Sequence, residues 1–439
     1  MSKLFYTLLI FLLFSACSSN KKNSLWPLKK INNESNDLNS EEKNIKEIFF
    51  EEKVVTKEFN ENLKIQIDKN NKPNTSFVNF TNNNGQINFD SDLKQSKQYK
   101  FSKIKNFYQV ESEISFYEDN FIFFDNKGSL MNFDINSKLI WKKNYYTKFE
   151  KKLNPKLQFI NFNKFLFVAD NISKYYLIDI NSGNLIWSKN SIAPFNSQIK
   201  IYKDKIFVVD YSNTLRCFSL KDGSELWNIK TQNSLIRTQK KLSLVISKNI
   251  IFFNNSVGDI TAVDLTTGQL LWQLPTQNNL IYQSSFSLET SEIVTDNKNL
   301  FFSNNRNQLF SIDIETGSFN WETKINSSLK STIIGDILFS ISNEGYLFLV
   351  NKNNGNIMRI TDIFSSLKPK EKNIIEPNGF IIGLDKIYVS TNIGKLFIVD
   401  IESGKTSSFI KIDNKKILRP YVYNGSLFTA KDNAIIKLN

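Results

Sequence analysis

The residue types in this 439-residue chain limit the chemistry that it can perform. It contains no histidine, so it cannot form a Ser-His-Asp triad, a Cys-His pair or a histidine-ligated metal site. Its two cysteines, Cys17 and Cys217, are too few for a Cys₄ zinc site or an iron–sulfur cluster. No dense acidic loop supplies the roughly six to eight oxygens that calcium needs. We therefore predict no catalytic residue, no metal and no cofactor.

Cys17 follows the features of an export signal. Lys3 precedes an apolar run at residues 4–14, and two small residues separate this run from the cysteine. The run is shorter than the roughly 20 residues that a membrane-spanning helix needs, but it fits the h-region of a signal peptide. Small residues directly before a cysteine resemble the bacterial lipobox, in which the cysteine is acylated and becomes the new N-terminus. We predict a lipoprotein signal peptide at residues 1–16 and lipidation of Cys17; an ordinary secretory signal with a chance cysteine is the alternative.

Two further expectations follow from an acylated Cys17. Ser18 stands where an aspartate would retain an enterobacterial lipoprotein in the inner membrane, which favours the outer membrane with the protein facing the periplasm. Cys217 would then have no disulfide partner within the chain. Because it lies in an apolar stretch, we predict that Cys217 is a buried strand residue rather than a reactive thiol.

The composition changes along the chain and indicates its domain organisation. Residues 17–60 are rich in Asn, Lys, Glu and Ser and are predicted to form the lipidated cysteine and a flexible tether. Residues 61–96 are predicted to form a β extension of the folded body, with weakly alternating segments at 63–67 and 77–80 that suggest a hairpin. The folded body itself is predicted to occupy residues 97–439.

The folded body repeats one pattern eight times, at intervals of about 45 residues. An apolar strand pattern begins each unit, and a second strand follows that ends in a polar residue, usually aspartate. In six units a glycine comes four residues after the polar residue, and in four of these a tryptophan comes four residues after the glycine; in the first unit Trp141 comes three residues after Lys138, which replaces the glycine. The apolar patterns begin at residues 120, 164, 205, 249, 299, 336, 386 and 426; the tryptophans are Trp141, Trp187, Trp227, Trp272 and Trp321, with Arg359 and Ser408 in their place in units six and seven.

This repeat predicts an all-β, eight-bladed β-propeller of four-stranded blades. Aspartate followed by glycine is typical of hairpin turns, and Phe, Ile, Val and Tyr favour strands. No segment keeps a 3.6-residue apolar period, and about 45 residues provide four short strands, which is one blade. We predict that the tryptophans lie on the outer strands as large apolar locks between neighbouring blades. A tryptophan platform for a ligand is the alternative, but the positions are equivalent in every blade.

The last unit is incomplete. Asn439 occupies the eighth polar position, so the final blade lacks its turn and its outer strand. An open blade would expose an unpaired sheet edge. We predict that residues 97–104 supply the missing strand and that this N-terminal strand closes the ring.

The signature D-φ-x-x-G-x-φ-φ-W, as at residues 179–187, 264–272 and 313–321, resembles the pyrroloquinoline-quinone-like propeller repeat. Two families share this repeat: the quinoprotein dehydrogenases and the B-component lipoprotein of the outer-membrane β-barrel assembly machinery. The lipobox, the length and the single eight-bladed body are similar to the second. The resemblance implies a non-enzymatic scaffold or docking lipoprotein that supports folding and insertion of outer-membrane proteins.

Two alternatives remain open. Quinoprotein dehydrogenases carry a catalytic aspartate, a calcium site and usually a vicinal cysteine pair, whereas this chain has no adjacent cysteines and its repeat aspartates occupy turn positions. A periplasmic propeller scaffold with another partner is the second alternative. The net charge of +13 does not predict a nucleic-acid partner, because no lysine cluster is interleaved with stacking aromatic residues.

The resemblance also implies where partners bind. In the assembly-factor family, loops on one face carry a Leu-Arg element after the third repeat tryptophan and acidic residues after the fourth. The matching positions are Leu235, Ile236 and Arg237 in the first loop and Glu289 in the second. They are expected to contact the periplasmic domains of the outer-membrane barrel assembly protein, with unfolded outer-membrane protein precursors as further partners. The alternative is that these loops are anchored by their own apolar residues and that Arg237 and Glu289 are solvated.

Replacing the predicted lipidation site tests the anchor. Cys17→Ser removes the thiol that accepts the lipid, so we expect an uncleaved or soluble form, whereas the wild-type mature mass should include about three acyl chains. Intact-mass spectrometry of membrane and soluble fractions measures both. Cys217→Ser is the control and should keep the lipid; a wild-type mature protein without added lipid mass would contradict the prediction.

Overall fold

The protein is an eight-bladed β-propeller of four-stranded antiparallel sheets, which confirms the predicted all-β fold. The computed structural model describes residues 57–67, 73, 85–136, 138–232, 240–276 and 288–439. All of them belong to one compact unit, Val54–Asn439. In seven blades the four strands follow one another in the chain, and the eighth combines the last three strands with the first.

The first four blades extend from residue 115 to residue 274. Their strands are β2 Ser115–Tyr117, β3 Asn120–Phe124, β4 Leu130–Asp134 and β5 Leu139–Lys143 in blade 1; β6 Leu157–Phe162, β7 Phe165–Asp170, β8 Lys174–Asp179 and β9 Leu185–Asn190 in blade 2; β10 Phe195–Tyr202, β11 Lys205–Asp210, β12 Thr214–Ser219 and β13 Glu225–Lys230 in blade 3; and β14 Leu244–Ser247, β15 Ile250–Asn254, β16 Ile260–Asp264 and β17 Leu270–Leu274 in blade 4.

The other four blades complete the ring. Their strands are β18 Val294–Thr295, β19 Asn299–Asn304, β20 Gln308–Asp313 and β21 Phe319–Thr323 in blade 5; β22 Thr332–Ile334, β23 Ile337–Ile341, β24 Tyr346–Asn351 and β25 Ile357–Asp362 in blade 6; β26 Pro377–Ile382, β27 Lys386–Thr391, β28 Lys395–Asp400 and β29 Thr406–Lys411 in blade 7; and β30 Tyr421–Tyr423, β31 Ser426–Lys431, β32 Ala434–Leu438 and β1 Ser96–Lys100 in blade 8. Helical structure in the described residues is confined to the four-residue helix α1, Pro369–Lys372, and two short 3₁₀ turns, Phe107–Gln109 and Glu150–Leu153.

Burial explains why the apolar pattern of each repeat was readable. The recurring pattern is the second strand of each blade, and in β7 and β11 every residue after the first is buried. These strands have sheets of neighbouring blades against both faces, so they read as continuous apolar runs. The outer strands β9 and β13 are mostly exposed, which explains their mixed composition. Cys217 lies buried on β12, where burial raises the pKa of its thiol to about 12.

The strand directions give the propeller two different faces. Each outer strand ends where a longer connection leads to the inner strand of the next blade, and we call this end the loop face. The turns that carry aspartate and glycine lie at the opposite end, the turn face. First strands of neighbouring blades contact each other, which places them around the central channel.

The repeat tryptophans connect each blade to the next. Trp141 on β5 donates from Nε1 to the carbonyl of Ile180 in blade 2 at 3.1 Å, and its ring lies against Gly183. Three others make the equivalent bond to the following blade: Trp187 to Leu220 at 3.1 Å, Trp272 to Ile314 at 3.3 Å and Trp321 to Lys352 at 2.9 Å. Trp227 packs against its glycine in the same way, but its Nε1 has no acceptor among the described residues.

The glycine of each turn is required by this contact as well as by the turn. Gly268 has a φ of +76°, in the left-handed region that other residues adopt at a cost. A Cβ at this position would lie 2.6 Å from Cδ2 of Trp227. The spacing from aspartate to glycine to tryptophan therefore encodes a hairpin and the surface on which the preceding blade docks.

Arg359 occupies the tryptophan position of blade 6 and is fully buried. Its guanidinium donates to the carbonyl of Leu63 at 2.7 Å and to the carbonyls of Glu402 and Ile401 in the turn of blade 7. An arginine can thus contact the next blade where tryptophan does elsewhere and can also hold a second segment of chain. The sequence did not indicate this second role.

The segment held by Arg359 runs across the outer edge of blade 6, and we call residues 57–67 the strap. Phe59 exchanges backbone hydrogen bonds with Ile360 on β25, at 3.1 and 2.8 Å, and Ile65 donates from its backbone to Glu402 at 3.1 Å. Ile65 is buried against blades 6 and 7. Residues 63–67 form no strand in the structure, and residues 77–80, the other half of the predicted hairpin, lie outside the described residues.

Further along, the N-terminal region closes the ring as predicted. Ile87 donates to Ile382 in blade 7 at 2.8 Å before the chain reaches β1. β1 pairs antiparallel with β32, from Ser96 opposite Leu438 to Lys100 opposite Ala434. The ladder is shorter than the predicted segment 97–104, because Phe101 and Ile104 bond to the turn that precedes β32.

Truncation tests how much the ring depends on these N-terminal contacts. A chain that starts at residue 57 keeps every described contact and should melt like the mature protein. A chain that starts at residue 105 loses β1 and should be destabilised by several kcal/mol, because a ring of blades is cooperative at its seam. A start at residue 91 removes the strap but keeps β1 and should give an intermediate melting temperature. Equal stability of all three chains would contradict closure by β1.

Substitution of single tryptophans tests the contacts between blades. Trp187→Ala and Trp227→Ala should each cost about 2–4 kcal/mol, because large half-buried side chains are removed. Trp187→Phe should cost about 1 kcal/mol more than Trp227→Phe, since only Trp187 donates to a carbonyl. Urea denaturation measures both comparisons. Alanine variants that lose less than about 0.5 kcal/mol would mean that the rings do not hold the blades together.

Candidate functional site

A cavity of about 510 Å³ opens at the centre of the loop face. Its wall is formed by the connections that enter the inner strands of several blades, so residues far apart in sequence meet there. Ten of the lining residues are charged, and they comprise equal numbers of acids and bases: Glu111, Glu113, Glu289, Glu292, Glu376, Lys240, Lys241, Lys330, Lys416 and Arg419. The channel mouth is therefore highly charged but nearly balanced.

Ion pairs cross this channel from blade 1 to blade 4. Glu111 pairs with Lys240 at 3.1 Å and accepts from the backbone N–H of Lys241 at 2.9 Å. Glu113 pairs with Lys241 at 3.1 Å. Burial alone would raise the pKa of Glu111, but Lys240 and Lys416 outweigh that effect and hold the pKa below its ordinary value. These bonds join blades that are not neighbours and brace the ring across its centre.

A second ionic group lies around Glu292. Its carboxylate is 3.5 Å from Nζ of Lys330 in blade 6 and 3.5 Å from Nη1 of Arg419 in blade 8. Burial would raise the pKa of Glu292, but the two cations and Lys241 hold the pKa well below the usual range. Burial lowers the pKa of Lys330 to about 8, against the opposing effect of Glu292. Glu292 therefore places a negative charge between two buried cations.

The connection from β1 to β2 covers one side of the channel mouth. Nζ of Lys416 donates to the carbonyls of Tyr108 and Val110 at 2.8 and 3.2 Å, which ties this connection to blade 8. Together with the pairs of Glu111 and Glu113, this contact fixes the connection on both sides. The cavity thus has a rigid polar wall on the side of blade 1.

The structure brings one of the predicted partner-binding residues, Glu289, to this same mouth. Glu289 is exposed and lines the cavity, and its backbone exchanges hydrogen bonds with Asn305. Leu235, Ile236 and Arg237 lie outside the described residues, but the chain after them re-enters the structure at Lys240, which lines the same cavity. Their roles stay predictions. Cys17 also lies outside the described residues.

The sequence reasoning missed the charged residues of the channel wall, apart from Glu289. Glu113, Lys241, Glu292, Lys330 and Arg419 each stand about seven residues before the recurring apolar strand of their blade. This periodic placement could have indicated from the sequence that these charged residues occupy equivalent positions in their blades. However, the pattern does not say which charges face each other, because that depends on how far apart the blades lie around the ring.

The described residues do not fit a calcium–quinone centre of the dehydrogenase type. No group of three acidic, cysteine or histidine residues in the described part of the chain could hold a metal ion. Glu111, Glu113 and Glu292 are already engaged with lysine or arginine, so they are poor calcium ligands. We derive no redox chemistry for this cavity.

The eight blades and their aspartate–glycine–tryptophan turns define a propeller of pyrroloquinoline-quinone-like repeats. A sequence profile of the family described as outer membrane protein assembly factor BamB matches residues 110–361, which is more than half of the chain. The chain belongs to this family. This confirms the resemblance that the repeat signature carried.

Solved structures share the fold at low sequence identity. BamB from Moraxella catarrhalis is 17% identical with a TM-score of 0.62, and the alignment covers 78% of this chain and 100% of that one. The quinohemoprotein alcohol dehydrogenase from Comamonas testosteroni is 8% identical with a TM-score of 0.59, over 80% of this chain and 78% of that one. Likeness at these identities shows the fold alone. No curated protein sequence matches the chain significantly.

The contact of Glu292 with two buried cations leads to a stability prediction. Glu292→Gln should cost about 2–3 kcal/mol at pH 7, because it removes a carboxylate that both Lys330 and Arg419 contact in a partly solvated cavity. The wild-type contribution is present above the ordinary glutamate pKa and is lost only as pH falls through the depressed value. On the alkaline side, the cost should shrink as pH rises through about 8, where Lys330 loses its proton.

Denaturation of both proteins at pH 7 and pH 9.5 measures this cost. Adding Lys330→Met to Glu292→Gln should recover part of the loss, since one of the two buried cations that Glu292 contacts is removed. A cost that is equal at both pH values, with no recovery in the double variant, would contradict the ionic account.

Proposed function

We propose that this protein is a non-enzymatic docking scaffold of the outer-membrane β-barrel protein assembly machinery. It would hold the periplasmic domains of the barrel assembly protein, and incoming outer-membrane protein precursors, so that folding and insertion proceed at the membrane. The observation that carries the proposal is the match to the assembly-factor family over residues 110–361. The propeller supports this role because rigid blades can present loops that vary freely.

The proposed docking site is the loop face beside the central channel. Leu235, Ile236 and Arg237 would provide two apolar contacts and a guanidinium able to bind a carboxylate or carbonyl of the partner. Glu289 would add a negative charge across the same mouth, where it is exposed. The ion pairs between blades 1 and 4 support this assignment, because they stiffen the wall next to the loops.

The proposed location is the inner surface of the outer membrane, facing the periplasm. Acylation of Cys17 would anchor the chain, and residues 18–56 would link the anchor to the strap. In the described part of the chain, no helix has the length and apolar character needed to cross a membrane. A lipid on Cys17 is therefore the proposed means of attachment.

A charge reversal in the first loop tests the docking site. Arg237→Glu would replace attraction by repulsion at the contact, so recovery of the barrel assembly protein in a membrane pull-down should fall at least tenfold, about 1.4 kcal/mol. The melting temperature should not change, since residue 237 lies between blades. Glu289→Lys should also weaken recovery if the second loop binds the same partner.

The control is a lysine on the opposite face. Lys221→Glu is suitable because Lys221 is exposed in a hairpin turn of the turn face. Lys352 is unsuitable, although it lies between repeat units, because it pairs with Asp296 at 3.3 Å and its carbonyl accepts from Trp321. If the wild type, Arg237→Glu and the control recover the same amount of the barrel assembly protein, Arg237 does not belong to the docking site. Absence of any barrel-assembly partner from the wild-type sample would favour a propeller scaffold with another partner.

A further inference from the structure

Large apolar side chains protrude from the loop face of blades 1 to 3. Phe149 is 70% exposed, Leu153 47% and Ile192 93%, and Tyr108 nearby is 67% exposed. Each of them lies on a connection into an inner strand. Side chains of this size are seldom left in water together without a reason, and such patches mark binding surfaces.

Hydrogen bonds and an ion pair hold these connections next to one another. Glu150, which follows Phe149, pairs with Lys174 at 3.0 Å. The neighbouring residue Ser173 accepts from the backbone N–H of Ser191 at 2.7 Å, and Ser191 precedes Ile192. Nζ of Lys156 donates to Oε1 of Gln109, next to Tyr108, at 2.5 Å. The protruding side chains therefore lie on connections that are joined to one another, and we call them together the apolar patch: Tyr108, Phe149, Leu153 and Ile192.

The exposure of the patch is built into the fold. The hydroxyl of Tyr146 donates to the buried Asp170 at 2.6 Å. Nζ of Lys174 lies over the ring of Tyr146, at 5.1 Å from its centroid. Glu150 accepts from the backbone N–H of Thr147 at 2.7 Å. These bonds satisfy the polar groups beneath Phe149, so the loop is ordered while its apolar side chain faces outward.

The charge around the patch is positive. Five lysines belong to the same connections and turns, whereas the glutamates and the aspartate beside them, Glu111, Glu113, Asp125 and Glu150, are each paired with a lysine. Lys127 is linked to this region because its carbonyl accepts from Asn144 at 3.0 Å. The five lysines are Lys105, Lys127, Lys148, Lys151 and Lys152.

The direction of the strap adds an independent observation. Glu58 accepts from the backbone N–H of Asp362, at the loop-face end of β25, and Phe59 pairs antiparallel with Ile360. The strap then runs toward Glu402 in a turn of the turn face. Lys57, the first described residue of the N-terminal region, thus lies at the loop face, on the same side as the apolar patch.

We propose that the apolar patch and its five lysines form a surface that binds anionic phospholipid. Exposed aromatic and aliphatic side chains on separate loops can enter the boundary between headgroups and acyl chains, while the lysines bind phosphate. Lipid matches this combination, because single exposed apolar side chains on separate loops stand among lysines. The inference goes beyond the docking function and does not depend on it.

Vesicle binding tests the proposal with a chain that starts at residue 18, which contains the whole compact unit Val54–Asn439 and lacks Cys17. It should sediment with phosphatidylcholine vesicles that contain about 30% phosphatidylglycerol and not with phosphatidylcholine alone. Lys148→Glu with Lys152→Glu should weaken binding at least tenfold, and Phe149→Ser at least fivefold. Two controls alter exposed residues in or next to the turns of the turn face: the double variant Lys221→Glu/Lys405→Glu and the single variant Leu226→Ser. Both should bind like wild type.

A fluorescent label locates the contact. Because Cys217 is buried, an environment-sensitive dye can be placed on Phe149→Cys, where it should shift to the blue with anionic vesicles; the same dye on Leu226→Cys should not. No sedimentation of the wild-type chain, or equal losses in patch and control variants, would overturn the proposal. So would patch variants that bind vesicles normally but lose the barrel assembly partner, since the patch would then be a protein interface.

Discussion

The ring depends on one repeated contact, in which a tryptophan on each of five outer strands docks on the glycine turn of the next blade. The contact holds consecutive blades face to face, which the flexible connection between them would not do by itself. A blade can bury its faces only against its neighbours. Trp141, Trp187, Trp272 and Trp321 add a hydrogen bond to a backbone carbonyl of the next blade. Packing against the glycine is common to all five tryptophans, whereas the bond is not, since Trp227 has no acceptor among the described residues.

Where the repeat loses its tryptophan, the N-terminal region takes part in the joint. Arg359 reaches the turn of blade 7 and also holds the carbonyl of Leu63, so the strap becomes part of the boundary between blades 6 and 7. β1 then completes blade 8 beside β32. Both ends of the chain are thereby used in closing the ring, and the folded body begins well before the first repeat.

The channel explains how such a frame can present binding loops. Glu111 and Glu113 reach lysines of blade 4, and Glu292 joins cations of blades 6 and 8, so the inner wall is braced across the ring. Glu289, one of the residues that we propose for partner binding, lines the same cavity. Because Glu111, Glu113 and Glu292 are engaged with lysine and arginine, these three carboxylates are suited to bracing the wall. The propeller shape is shared with quinohemoprotein dehydrogenases at low sequence identity.

The sequence by itself determined the eight blades, the hairpin turns, the outer-strand tryptophans and a closing strand near residue 97, because each depends on a local pattern that repeats. It did not reveal the role of Arg359, which looked like the loss of a tryptophan, nor the pairing of Glu113 with Lys241. Those contacts join residues that are distant in the chain, and only closure of the ring decides which of them meet. Leu235–Arg237 remain a prediction from resemblance, whereas the position of Glu289 at the channel mouth required the tertiary structure.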